Sequence, residues 1–218
     1  MLQSRYMSYK GKIKNGVVRS NFYKPKEGYD LYAKYYEKDY EYLNSFEKDV
    51  IFIFLGDLKK KKVLDIGCGT GRLIRFMSDR GAEVSACDIS DGMLNIVRKK
   101  FPKIETVNAE MEELPFKDGI FDIAMASFVI VHLKDLNEAF EEVYRVLKDG
   151  GCFVLTNINQ RKAPKLKLGN REEIVIESHY HRPEDVIKAL EANLFTIEKE
   201  EFVYEDSVWI NQVIKARK

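Results

Sequence analysis

Beyond residue 60, short apolar runs alternate with segments whose apolar residues recur at helical spacing. The apolar runs are typical of buried strands and lie at residues 62–66, 83–87, 104–107, 121–130 and 152–157. The intervening segments are expected to be amphipathic helices, at residues 71–80, 92–101 and 136–147. This alternation predicts an α/β fold with a doubly wound parallel sheet, covered by helices on both faces.

The pattern changes after residue 158. Residues 160–171 are basic and loop-like, and the alternating residues 173–180 predict a strand. Residues 183–192 predict a helix, because a proline stands at its first position and two acids follow in the first turn. Two long strands are predicted at residues 195–204 and 208–216, and because only a short turn separates them we expect an antiparallel hairpin.

The N-terminal part of the chain differs from the rest. Residues 1–27 carry seven basic side chains and one acid without an apolar period, so we expect a solvated, partly disordered arm. The same charges would also suit an arm that contacts RNA or a substrate. In residues 28–58, Tyr29, Tyr32 and Tyr36 recur at i, i+3 and i+7 and predict a helical cap. Such tyrosines usually pack against the core, but they can also roof a ligand pocket.

Composition narrows the classes of protein that fit. Basic residues number 36 and acidic residues 35, so the net charge is close to zero. This balance excludes a positive electrostatic potential over the whole surface of the kind that attracts nucleic acids, but it does not exclude local basic patches. The longest uncharged apolar run, residues 123–133, is shorter than the roughly 20 residues of a membrane span, and no secretory signal opens the chain. We therefore expect a cytoplasmic protein. The three cysteines form no CxxC pair and the histidines are few, so no metal site is expected.

The segment with the most specific chemistry is residues 63–72, which read Val-Leu-Asp-Ile-Gly-Cys-Gly-Thr-Gly-Arg. A strand ends, glycines recur at 67, 69 and 71, and a helix begins, so backbone N–H groups can approach a ligand closely. The spacing is G-x-G-x-G rather than the G-x-G-x-x-G of dinucleotide folds. Asp88 ends the next strand, where a carboxylate can accept hydrogen bonds from two ribose hydroxyls.

This segment resembles motif I of the class I S-adenosylmethionine-dependent methyltransferases. Further resemblance comes from three later stretches, at residues 108–116, 119–133 and 142–151, which follow at the family's spacing. The branch they resemble includes many small-molecule methyltransferases, such as those of quinone biosynthesis. The resemblance implies a seven-stranded, mostly parallel Rossmann-like sheet with an antiparallel C-terminal hairpin strand. It also implies S-adenosylmethionine as cofactor, a methyltransferase domain at residues 59–218 and a substrate-side segment at about residues 159–183.

The resemblance also implies which residues hold the cofactor. An acid four residues before Leu-Pro-Phe binds the adenine amino group in the family, and here it is Glu110 where aspartate is commoner. Asn108, or an alternative register of the motif, is the other possibility. The complete implied set is Asp65, Gly67, Cys68, Gly69, Gly71, Asp88, Ile89, Met93, Glu110, Met111 and Ser127.

His132 follows the fourth strand of the sheet and is the candidate catalytic base, with a structural role in capping the next turn as the alternative. His179 and His181 would share one face of the strand predicted at residues 173–180, in a region that lines the acceptor pocket of many family members. Tyr29 and Tyr36 are candidates to close over the cofactor. Each of these four residues could instead be a packing or surface residue.

The residues after the fourth strand also restrict the acceptor. No Pro-Pro-Tyr motif follows it, which disfavours methylation of the adenine amino group or of a glutamine amide nitrogen. No Pro-Cys nucleophile follows it either, which disfavours methylation of pyrimidine C5 through a cysteine adduct. A methyltransferase acting on O, N or C of a small molecule is the leading hypothesis. An RNA-modifying methyltransferase, using basic residues 1–27, 59–62 and 161–167 on phosphates, is the second. A cofactor-binding module without turnover is the third.

Overall fold

A seven-stranded sheet occupies the centre of the molecule, in a computed structural model that describes residues 21–47, 49–169 and 172–218. Its strands are β2 Lys62–Ile66, β3 Glu83–Asp88, β4 Glu105–Asn108, β5 Phe121–Ala126, β6 Leu147–Ile158, β9 Thr196–Glu205 and β10 Val208–Arg217. They are arranged in the order β4-β3-β2-β5-β6-β10-β9. Strands β2 to β6 are mutually parallel, while β10 runs antiparallel to both β6 and β9. The predicted mostly parallel sheet with an antiparallel C-terminal hairpin is therefore confirmed.

Helices bury both faces of this sheet. They are α1 Pro25–Tyr36, α2 Tyr40–Glu47, α3 Val50–Leu55, α4 Ile74–Asp79, α5 Asp91–Lys100, α6 Asn137–Val146 and α7 Pro183–Ala192. On one face, Phe140 and Val143 of α6 pack against Phe153 of β6. On the other face, Phe54 of α3 and Ile74 of α4 belong to one hydrophobic cluster together with buried side chains of the central sheet. Each fully buried aliphatic or aromatic side chain stabilises the fold by roughly 1.5–3 kcal/mol.

A second, three-stranded sheet was not predicted from the sequence. It contains β1 Phe22–Tyr23, β7 Lys165–Lys167 and β8 Glu173–Ile176, in the order β1-β8-β7. Tyr32 of α1 packs against Ile174 and Ile176 of β8, so the N-terminal helix and the segment after β6 form one layer. Residues 1–20 of the predicted basic arm lie outside the described residues. Residues 22–27 of that arm form β1 and the first turn of α1.

Several element boundaries differ from the predicted ones. The strand predicted at residues 121–130 ends at Ala126, because Phe128 adopts a positive φ of 61° and a 3-10 turn, Ile130–His132, follows. The strand predicted at residues 173–180 ends at Ile176. The prediction that the two following histidines share one strand face is therefore wrong.

Two further boundaries have clear causes. The helix predicted from residue 71 begins at Ile74, because Gly71 adopts a positive φ of 82°. The turn predicted at residues 148–151 belongs to β6, because Gly150 N–H and Gly151 O pair with Lys218. Among the described residues, no helix combines the length and apolar character that crossing a membrane requires.

Candidate active site

The glycine loop, residues 67–71, follows the carboxyl end of β2 near the middle of the sheet. Gly67, Gly69 and Gly71 adopt positive φ angles of 61°, 54° and 82°, which residues with a Cβ rarely adopt. Space is also limited: a Cβ at Gly67 would lie 2.4 Å from Val129 Cγ2, and one at Gly69 would lie 3.3 Å from Tyr36 Cε1. Backbone conformation and crowding therefore both require glycine here.

Asp88 ends β3 directly beside this loop. Its Oδ2 accepts a hydrogen bond from the Gly69 N–H at 2.8 Å, and its Oδ1 accepts one from the Ser90 N–H at 2.9 Å. Burial raises the pKa of Asp88 to about 6, although these two N–H groups oppose the shift. A carboxylate has about four lone-pair sites, so these two bonds leave acceptor capacity for ligand hydroxyls.

Two more buried groups lie in or beside the loop. The side chain of Asp65 is buried in β2, and this burial raises its pKa to about 8 against the opposing charge of the Arg72 guanidinium. Burial also raises the pKa of the Cys68 thiol well above its usual range, which makes a thiolate nucleophile unfavourable there. A buried carboxyl with a strongly raised pKa in a strand-end site is typical of a ligand-binding position.

Several residues predicted to hold the cofactor, among them those expected at the adenine, lie around the ends of β3 and β4. Met93 and Met111 are buried, whereas Glu110 is exposed. The Asn108 Nδ2 donates a hydrogen bond to the Ile89 carbonyl at 3.0 Å and joins the two strand ends. The adenine contact of Glu110 stays a prediction, and Asn108 is the side chain that the structure fixes at this rim.

The N-terminal helices attach directly to the loop and to the start of α5. The Tyr40 hydroxyl forms a hydrogen bond with Thr70 Oγ1. The Asp30 Oδ1 accepts hydrogen bonds from Ser90 Oγ at 2.6 Å and from the Gly92 N–H at 2.9 Å, so a side chain of α1 caps α5. Together with the Tyr36 ring against the loop, these contacts place the tyrosine-rich segment over the predicted cofactor residues.

A buried ionic network connects α2, the glycine loop and the end of β5. The Arg72 Nη1 lies 2.6 Å from Glu47 Oε2, and the two side chains are only 8% and 3% exposed. The Ser127 hydroxyl donates to Glu47 Oε1 at 2.5 Å and accepts from Arg72 Nη2 at 2.9 Å. Arg72 also donates to Asn44 Oδ1 at 2.7 Å. Ser127, predicted to contact the cofactor, is thus engaged with protein side chains.

His132 lies in a chain of hydrogen bonds beneath α1. Its Nδ1 is 2.7 Å from the Glu177 carbonyl oxygen, which can only accept, so Nδ1 carries the proton. Its Nε2 is 2.7 Å from the Tyr29 hydroxyl, and the rings meet edge to face at 5.2 Å. Burial lowers the pKa of His132, so the neutral ring accepts the Tyr29 O–H at Nε2. Tyr29, predicted as a pocket residue, contacts Tyr36 at a centroid distance of 6.2 Å.

The other two histidines are used differently. The His181 Nε2 donates to the carbonyl oxygens of Ile130 and Leu133 at 3.0 and 2.9 Å and so caps the turn that carries His132. The His179 N–H donates to the Val131 carbonyl at 2.7 Å, and its ring lies 4.0 Å from Glu177. The described residues contain no cluster of three or more histidine, cysteine or acidic side chains suited to a metal ion.

Sequence reasoning missed three residues of this site. Asp30 and Glu47 occur in helices rich in charged residues, where an acid normally faces water, so no local signal marked them. Arg72 occurs in the glycine-rich segment, but no role was predicted for it. Its position directly after the last glycine was the one sequence signal for a buried ion pair. A long cationic side chain at that position must either extend into solvent or pair with a buried acid.

Comparison with known proteins gives a consistent picture. The methyltransferase domain family matches residues 64–155, which include the glycine loop, Asp88 and His132. Malonyl-[acyl-carrier protein] O-methyltransferase of Pseudescherichia vulneris is 30% identical over 71% of this chain and 58% of its own length. Demethylmenaquinone methyltransferase of Chlorobaculum tepidum is 38% identical over 50% of this chain and 46% of its own length. The chain thus spans about half the length of these curated relatives.

Solved structures agree on the fold. A crystal structure of an S-adenosylmethionine-dependent methyltransferase from Mesorhizobium loti has a TM-score of 0.67 with 20% identity, covering 79% of this chain and 98% of that one. Residues 64–155 thus match the methyltransferase domain family, and the chain has the fold of solved S-adenosylmethionine-dependent methyltransferases.

Proposed function

We propose that the protein binds S-adenosylmethionine at the glycine loop and transfers its methyl group to a small molecule. The observation that carries the proposal is the Asp88 carboxylate, which anchors the Gly69 N–H and keeps free acceptor capacity at a loop where added Cβ atoms would be crowded. This geometry fits a ribose on Asp88 and an amino acid moiety near the buried Asp65. When bound, the cofactor supplies an activated methyl group on a sulfonium.

The raised pKa of Asp88 predicts a pH-dependent affinity for the demethylated cofactor, S-adenosylhomocysteine. Below about pH 6 the carboxyl is protonated and loses acceptor strength toward the ribose hydroxyls, so affinity should fall as the pH drops through that value. Asp88→Asn should weaken binding by roughly 2–4 kcal/mol at neutral pH and flatten this dependence. Calorimetry across about pH 5 to 8 tests both expectations.

The exposed neighbour Asp91 provides the matched control for this experiment, because Asp91→Asn removes a carboxylate three residues away without touching the loop. It should leave the affinity and its pH dependence unchanged. A normal pH profile in Asp88→Asn would remove Asp88 from the binding site.

For the transfer step, we propose that Tyr29 and His132 receive the proton of an acceptor hydroxyl or amine. The acceptor proton would pass to the Tyr29 oxygen while the Tyr29 hydroxyl gives its own proton to His132 Nε2, the two heavy atoms being 2.7 Å apart. The Glu177 carbonyl holds Nδ1–H and so keeps Nε2 free as the proton acceptor. The lowered pKa keeps His132 neutral and available at pH 7, at the cost of weaker basicity.

We expect His132→Ala to reduce turnover by about 10²–10⁴-fold while the affinity for S-adenosylhomocysteine stays constant, because the base is lost and the loop is intact. Tyr29→Phe should reduce turnover to a similar extent, because it removes the hydroxyl that relays the proton to His132 Nε2. His179→Ala is the control, and His181→Ala should lower the melting temperature because its ring caps two carbonyls. Full turnover by His132→Ala would leave positioning alone as its role.

The acceptor is proposed to be a small molecule rather than RNA. Relatives named malonyl-[acyl-carrier protein] O-methyltransferase and demethylmenaquinone methyltransferase support this choice. The test of this choice is the transfer of a labelled methyl group in cell extract, which is then separated into RNA and small-molecule fractions. Label that appears only in RNA would overturn the proposal.

We also propose a cytoplasmic location, which is supported by the three cysteines, because all of them are buried free thiols.

A further inference from the structure

A cavity lies at the edge where the parallel strands end, and no step described above uses it. It has a volume of about 570 Å³ and is lined by Arg161, Tyr180, Arg182, Pro183, Glu184 and Trp209. This group of residues is called here the arginine cleft.

Two hydrogen bonds tie the walls of the cleft to the end of β6. The Asn159 Nδ2 donates to the Trp209 carbonyl at 2.8 Å, and the Asn157 Nδ2 donates to the His181 carbonyl at 3.3 Å. His181 stands between two cleft residues in sequence, and its ring binds the turn that carries His132. The cleft therefore lies at the same edge of the sheet as the glycine loop, where doubly wound folds bind their ligands.

The side chains of the cleft provide positive charge beside aromatic rings. The Arg161 guanidinium lies over the Tyr180 ring, 4.8 Å from its centroid. Neither Arg161 nor Arg182 has an ion pair within the described ranges, and Glu184 is the only acid among the lining residues. A guanidinium presents paired N–H donors that match carboxylate and phosphate oxygens, and indole and phenol rings offer surfaces for a flat ring.

We propose that the arginine cleft binds an oxyanion, carboxylate or phosphate, carried on a flat ring, and that this group belongs to the methyl acceptor. The inference rests on the proposed methyltransferase function and narrows its substrate class to anionic, ring-containing molecules. The two guanidiniums outnumber the one carboxylate of the lining, so the cleft favours an anion over a neutral or cationic ligand of the same shape.

Trp209 is the only tryptophan of the chain, so its fluorescence reports on the cleft. Titration of the full chain with benzoate and with phenyl phosphate should give a saturable change for at least one of them, whereas the neutral benzamide should bind at least 5-fold more weakly. Arg161→Gln combined with Arg182→Gln should weaken the anion's binding by at least 5-fold, and Lys162→Gln, which alters an exposed basic neighbour, should not.

Equal affinity for benzamide in the unmodified protein, or unchanged anion binding in the double variant, would overturn the inference. The benzamide comparison needs no variant, so it decides even if the double variant fails to fold. Calorimetry with S-adenosylhomocysteine on the same samples separates the two proposals. Normal binding of S-adenosylhomocysteine without anion binding overturns the cleft alone, while anion binding without S-adenosylhomocysteine binding overturns the proposed function.

Discussion

Gly69→Val should abolish measurable binding of S-adenosylhomocysteine, lowering the affinity by roughly 100-fold or more. Gly69 has a φ of 54°, a conformation that is a clear outlier for a β-branched residue, and its N–H is held by Asp88. The new Cβ would lie 3.3 Å from the Tyr36 ring, so the side chain would displace either that ring or the ligand. Calorimetry together with thermal unfolding measures the effect on binding and on stability separately.

Gly150→Val is the matched control for this experiment. Gly150 also has a positive φ, 74°, but no heavy atom lies within 4 Å of a Cβ built there. It should therefore carry a similar conformational strain of roughly 1–3 kcal/mol without loss of ligand affinity. Equal loss of binding in both variants would show that instability, rather than the loop, explains the result.

The largest effect on stability is expected at the buried pair of Glu47 and Arg72. Glu47→Leu should lower the free energy of unfolding by roughly 3–5 kcal/mol, because it leaves a buried guanidinium without its carboxylate. Arg72→Met should cost a similar amount for the converse reason. The double variant Glu47→Leu with Arg72→Met should recover much of this loss, since an apolar pair needs no compensating charge.

Urea unfolding of the three variants measures these free energies. The control is Glu173→Gln, which removes an exposed ion pair with Lys165 whose side chains are 43% and 41% exposed, and which should cost about 0–1 kcal/mol. A double variant that is as unstable as the sum of the two single variants would contradict the account. In that case the two side chains would act on stability independently of their mutual contact.

The central sheet could be predicted from the sequence because its signals are local. The short runs at residues 62–66 and 83–87 predict two strands, and the first is followed by the glycine loop and the second by an acid. The strands, the loop and the edge of the sheet that binds a ligand can therefore all be predicted from residues that are neighbours in sequence. The prediction that Asp88 binds a ribose has the same local basis, because Asp88 is the acid that ends the second of these strands. Its hydrogen bond to the Gly69 N–H confirms that the acid and the loop are adjacent.

The parts that escaped prediction depend on contacts between distant segments. Strand β1 has two residues, and its partner β8 lies some 150 positions later, so no local pattern marks either the pairing or the layer they build with α1. The hydrogen bond between Tyr29 and His132 spans 103 positions in the same way. Glu47 carries an ordinary acidic side chain in an amphipathic helix, and only the placement of Arg72 makes its burial favourable.

Binding of S-adenosylhomocysteine compared with NAD⁺ tests the central claim most directly. Calorimetric titration of the purified full chain should show one saturable site for S-adenosylhomocysteine and no comparable heat for NAD⁺, because the loop spacing is G-x-G-x-G. Tighter binding of NAD⁺, or no binding of S-adenosylhomocysteine by the folded protein, would contradict the assignment of the glycine loop and Asp88 as its site.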